Sequence, residues 1–76
     1  MSKRRGVFSG KLVGSVLVKE FGFSFVSQKG SHMKLRAGKR MTIVPLHKEL
    51  AHGTLRSVLE LAGILKDDFL KAVEKR

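Results

Sequence analysis

A chain of 76 residues holds one domain at most and buries only about 60% of the surface its unfolded form exposes, so a deep cofactor pocket is not expected. Sixteen Lys and Arg against six Asp and Glu give a formal net charge of +10, a field that attracts polyanions and points to nucleic acid without choosing between DNA and RNA. The absence of cysteine excludes disulfides and thiolate metal sites and fits a cytoplasmic chain whose stability comes from packing.

Residues 1–8 read as a basic lead-in. Lys11 interrupts the apolar stretch that follows and no small-x-small cleavage site is present, so a secretory signal is rejected. No apolar run nears the roughly 18 residues of a membrane span. Gly6, Gly10 and Gly14 repeat at the spacing of membrane helix pairs, which is put down here to chance. Ser9 is the expected N-cap of a first helix carrying Leu12, Val13, Val16, Leu17 and Phe21 on one face, with Gly22 as its left-handed end.

From Phe23 the period changes to two, with Phe23 and Phe25 on one face and Ser24 and Val26 on the other, a first strand to about Gln28. Lys29, Gly30 and Ser31 make a tight connection. In the second strand Met33 and Leu35 point one way and His32, Lys34 and Arg36 the other. Ala37 to Lys39 turn the chain into a third strand, Met41 to Val44, which Pro45 stops or pushes to an edge. A loop leads to Thr54, the expected N-cap of a helix with Leu55, Val58, Leu59 and Ala62 on its apolar face, closed by Gly63 and Ile64. A last short helix, from Asp67 or Asp68 to about Glu74, offers Phe69, Leu70 and Val73 to the core.

The order predicts a single α+β domain over residues 1–76, with a three-stranded antiparallel sheet and a short C-terminal helix. Two helices on one face of the sheet leave the other open, and strand parity puts His32, Lys34 and Arg36 on it. That α-β-β-β-α architecture matches the double-stranded-RNA-binding fold. All phenylalanines except Phe8 are assigned to the core, and without Tyr or Trp a base-stacking platform is not expected.

A histidine beside cations on an open sheet suits metal-independent RNA cleavage, because an imidazole can take the ribose 2′-OH proton while cations hold the phosphate. Gly30 lets backbone approach a phosphate, Ser31 offers a hydroxyl, and Lys29, Lys34 and Arg36 are the nearest cations. A lone exposed histidine is nevertheless more often solvated surface than catalyst. His32, His47 and His52 lack the spacing of zinc ligands, so no metal is expected; Asp67 and Asp68 read as helix caps, and His47 and His52 as loop residues. No P-loop or other small-molecule cofactor motif is present.

Three blocks carry a resemblance: Phe21 to His32 (FGFSFVSQKGSH), Thr42 to His47 (TIVPLH) and Gly53 to Ile64 (GTLRSVLELAGI). In this order they resemble the HicA toxin family, small ribonucleases of bacterial toxin–antitoxin pairs. Gly30-Ser31-His32, which could pass for a tag remnant, is similar to the family's own signature. The resemblance implies a cytoplasmic toxin that cleaves mRNA without a metal, with His32 in the catalytic position, and a HicB-like antitoxin that binds and blocks it. Lys29, Gly30, Ser31, Lys34, Arg36 and Arg56 are the accompanying RNA-binding candidates. Met33 stands where the family commonly has a polar residue or a second histidine, which leaves open whether His32 has a helper; His47 matches a family position but is read as structural and not as catalytic. The alternatives are a non-catalytic RNA-binding module of the same fold and an inactive relative kept for partner binding.

Overall fold

The computed structural model describes residues 7–75, so the basic lead-in up to Gly6, the first glycine of the four-residue repeat and Arg76 lie outside the described residues. The elements run α1 (Gly10–Glu20), β1 (Ser24–Lys29), β2 (His32–Ala37), β3 (Arg40–Pro45), α2 (His52–Ala62) and α3 (Lys66–Glu74). The strands form one antiparallel sheet in the order β1-β2-β3, so the expected α+β architecture is the observed one. No helix among the described residues is long and apolar enough to cross a membrane.

Helix α1 begins where its sequence says it should: the Leu12 N–H donates to the Ser9 hydroxyl at 3.0 Å, satisfying one of the free donors of the first turn. Val13, Val16 and Leu17 face inward and are fully buried. Gly22, at φ +74°, lets the chain reverse, and the Phe23 N–H returns to the Leu17 carbonyl at 3.1 Å. Gly10 and Gly14 are buried too. A Cβ on Gly10 would run into the Pro45 carbonyl oxygen, and one on Gly14 into the Met33 methyl. Gly10 therefore makes room for backbone of the exit loop against the helix, whereas at Gly14 the neighbour is the end of a flexible side chain that can move aside.

Both hairpins use two-residue turns whose first residue is a left-handed glycine, Gly30 (φ +60°) and Gly38 (φ +62°), while no non-glycine among the described residues has positive φ. That pattern matches the twist of the flanking strands and sets the register. Residues opposite one another share a face, so the β2–β3 pairs His32↔Pro45, Lys34↔Ile43 and Arg36↔Met41 lie on one side and Met33↔Val44 and Leu35↔Thr42 on the other. The second side carries the buried residues Leu35, Thr42 and Val44 beneath the helices. Thr42 is the buried polar residue, and its hydroxyl donates to the Val58 carbonyl of α2 at 2.9 Å.

Strand β1 departs from simple alternation. Phe25 pairs with Leu35 but Ser27 pairs with Lys34, leaving Val26 as a bulge. After the bulge the parity inverts, so Ser27 and Lys29 share the face of Lys34 and His32. Every residue of β1 is exposed, because the helices pack over β2 and β3 and this edge strand projects beyond them. Phe25, expected in the core, is consequently 58% exposed. Phe8, assigned to the lead-in, takes the opposite course: its ring meets Phe69 edge to face at 5.6 Å and its carbonyl accepts from the Leu50 N–H at 2.8 Å.

Helix α2 starts before Thr54. Its N-cap is Ala51, whose side chain makes no cap bond, and its carbonyl accepts the first helical hydrogen bond from Leu55 at 3.0 Å. The buried Leu50 and its bond to Phe8 bring the chain into the helix directly, so Thr54 lies within the first turn. At the other end Gly63 (φ +73°) and Ile64 close α2 as expected, with bonds to the Glu60 and Leu59 carbonyls. Helix α3 begins at Lys66, slightly earlier than read, with Asp67 and Asp68 in its first turn and Phe69 completely buried.

Candidate functional site

The open face of the sheet presents Ser24, Ser27 and Lys29 from β1, His32, Lys34 and Arg36 from β2, and Met41, Ile43 and Pro45 from β3. It holds three cations and no carboxylate. Lys29 stands directly across from His32, the last pair before the hairpin turn. It reaches this face through the Val26 bulge, since unbroken alternation from Ser24 would have placed Gln28 there instead. Lys34 is partly buried between Ser27 and Ile43, while His32 and Arg36 are exposed.

The turn beside His32 is held locally: the Gln28 side-chain amide donates to the Gly30 carbonyl at 3.0 Å. Open space surrounds the position of a Cβ on Gly30, so the backbone there is accessible to a ligand. Ser31 is exposed, and its carbonyl accepts from the Leu46 N–H at 2.6 Å, which ties the hairpin tip to the chain leaving β3. Arg36 is steered by a bond from its Nε to the Gly38 carbonyl at 3.1 Å.

Five of the candidates thus gather around His32: Lys29, Gly30, Ser31, Lys34 and Arg36. Arg56 does not join them. It lies on α2, which covers the opposite side of the sheet, and its Nε is 3.8 Å from Glu60 in an exposed i,i+4 pair. His52 is the first residue of α2 and exposed.

The structure brings to the site a residue that the sequence reading set aside as a structural loop histidine. His47, two residues beyond β3, brings its ring to within 6.4 Å of the His32 ring, centroid to centroid, with the planes at 71°. The two are separated by the whole of β2, the turn and β3, and no local spacing reports their meeting. Both imidazoles are exposed, and neither is hydrogen-bonded among the described residues.

Comparison with known proteins yields a match to one family model, described as the HicA toxin of bacterial toxin-antitoxin, over residues 15–64. No curated protein and no solved structure matches the chain. The matched span runs from within α1 through the whole sheet to Ile64, and so contains the Gly30-Ser31-His32 turn, the basic face and His47. Covering more than half of the 76 residues, and carrying the same blocks on which the resemblance rests, it establishes that the chain belongs to the HicA toxin family of bacterial toxin–antitoxin systems.

Proposed function

We propose that this toxin is a metal-independent endoribonuclease that cleaves mRNA on the open sheet face, with His32 as its acid–base group. The observation that carries the reading is the placement of His32 among Lys29, Lys34 and Arg36 on a face free of carboxylates. Phosphate binding there is favoured by charge, and an imidazole at the same spot can move the 2′-OH proton. Lys29, Lys34 and Arg36 neutralise the phosphate, while the Gly30 turn and the Ser31 hydroxyl admit and orient it. Arg56, on the helical side, contacts a neighbouring stretch of the same RNA.

A non-catalytic RNA-binding module of this fold typically uses a lysine cluster at the start of the last major helix. Here that turn offers one cation, Arg56, and no lysine, which favours the enzyme reading. The partner is a HicB-like antitoxin, and the excess of cations selects an acidic surface on it that covers His32 and the basic face.

The test is incubation of the purified protein with a long mRNA, and with DNA of the same sequence, in EDTA. RNA is cut, DNA is spared, and the HicB-like partner stops the reaction in proportion to its binding. Cleavage that requires a divalent ion, or that continues in the saturated complex, would contradict the reading.

A further inference from the structure

The backbone around His47 is fixed on three sides. Pro45 pairs with His32 at the end of β3, the Leu46 N–H donates to the Ser31 carbonyl at 2.6 Å, and the His47 carbonyl accepts the Gly10 N–H at 2.9 Å. The last bond depends on Gly10 having no side chain, because a Cβ there would meet the Pro45 carbonyl oxygen and lie 2.9 Å from the Leu46 Cα. The start of α1, the turn next to His32 and the exit of β3 therefore hold His47 together. These bonds fix the backbone that carries the side chain, and from it the His47 ring lies 6.4 Å from the His32 ring.

Two imidazoles with centroids 6.4 Å apart and planes at 71° stand too close to enclose a phosphate between them, but close enough for both to reach oxygens of one phosphate lying over the pair, each by a hydrogen bond of about 2.7–3.0 Å. A single histidine can serve only one end of the displacement at a time, whereas the reaction must remove a proton at one oxygen and deliver one at another. We propose that His47 is the second catalytic residue of the site, the acid–base complement of His32, an inference that rests on the ribonuclease reading above.

In the balanced step one imidazole takes the 2′-OH proton as the 2′-oxygen forms its bond to phosphorus. The bond from phosphorus to the 5′-oxygen breaks, and the other ring, entering as imidazolium, gives its proton to that oxygen. The products are a 2′,3′-cyclic phosphate and a 5′-hydroxyl. The two rings leave with protonation states exchanged, and proton transfer through water resets them. The charged residues nearest the pair in register or along the chain are Lys29 opposite His32, Lys34 two residues along β2, Lys48 and Glu49 after His47, and Lys11 after the Gly10 that bonds the His47 carbonyl.

The experiment compares wild type, His32→Ala, His47→Ala and His47→Gln on a short RNA and on the same RNA with sulfur in place of the 5′-bridging oxygen at the cut site. Sulfur leaves without needing a proton, so the variant lacking the acid recovers and the one lacking the base does not. Expected are a bell-shaped rate–pH profile for wild type, losses of about 10²- to 10⁴-fold on ordinary RNA for each histidine variant, and removal of one limb of the profile by His47→Ala. Only one of the two alanine variants regains activity on the sulfur substrate. Melting temperature and RNA affinity are followed alongside, with His47→Gln as the near-isosteric check on folding. A His47→Ala protein that cuts at the wild-type rate, one that is slowed with both limbs intact, or rescue of neither variant overturns the proposal. If the wild type does not cut the RNA at all, the ribonuclease reading itself fails, and if His32→Ala cuts normally it is the role given to His32 that fails.

Discussion

Replacing His32 by alanine is expected to lower the rate of RNA cleavage about 10²- to 10⁴-fold while leaving RNA binding largely in place. At 1.36 kcal/mol per tenfold, that loss corresponds to roughly 3–5 kcal/mol of transition-state stabilisation. Binding survives because it resides elsewhere: Lys29, Lys34 and Arg36 supply the charge, and none of them uses His32 as a hydrogen-bond partner. Folding survives as well, since His32 is exposed and substitutions at such sites usually shift stability within about 0.5 kcal/mol. Single-turnover cleavage, a filter-binding isotherm and a thermal melt on the same preparation separate these effects. An alanine protein that cuts RNA as fast as wild type would remove His32 from the mechanism.

The second large effect falls on stability. Phe69 is completely buried, packed edge to face on Phe8, and Phe69→Ala is expected to cost about 3–5 kcal/mol, the range for deleting a core aromatic ring. Domains of this size are stabilised by only about 5–15 kcal/mol in total, so much of the margin disappears. At roughly 4–8 °C per kcal/mol for a short chain, the melting temperature falls by on the order of 20 °C, readable by circular dichroism. Both rings lie outside the stretch that matches the family model, residues 15–64, so this contact is an addition made by the flanking chain. A fall of less than about 5 °C would show that the contact contributes little to stability.

Much of the fold was legible because its signals are local. Ser9 caps α1, Gly63 and Ile64 close α2, and left-handed glycines make both hairpins; each is a short-range consequence of side-chain or backbone chemistry. The face carrying His32, Lys34 and Arg36 followed from parity within one unbroken strand. What escaped depends on pairing between distant segments. The Val26 bulge inverts β1 without any Gly or Pro to mark it, and it places Lys29 beside His32. Phe25 and Phe8 exchange their expected roles because the helices stop short of β1 and leave α3 to be covered by the segment preceding α1.

The same reasoning explains Gly10 and His47. Gly10 stands in a helix where propensity disfavours it, and only the approach of the Pro45 backbone shows its use. His47 sits in a loop 15 residues beyond His32, and the meeting of the rings is created by the β2–β3 register that pairs His32 with Pro45. Position 33 holds Met33, and the imidazole that stands beside His32 comes instead from the loop after β3.

The measurement that tests the central claim most directly is the chemistry of the ends left on RNA cut in EDTA. Attack by the neighbouring 2′-OH, driven by imidazole, leaves a 2′,3′-cyclic phosphate or the 3′-phosphate derived from it, together with a 5′-hydroxyl, and RNA blocked by 2′-O-methyl groups stays whole. Fragments carrying a 5′-phosphate and a 3′-hydroxyl, or cutting of the 2′-O-methyl RNA, would mean that water attacks the phosphate directly and would contradict the role given to His32.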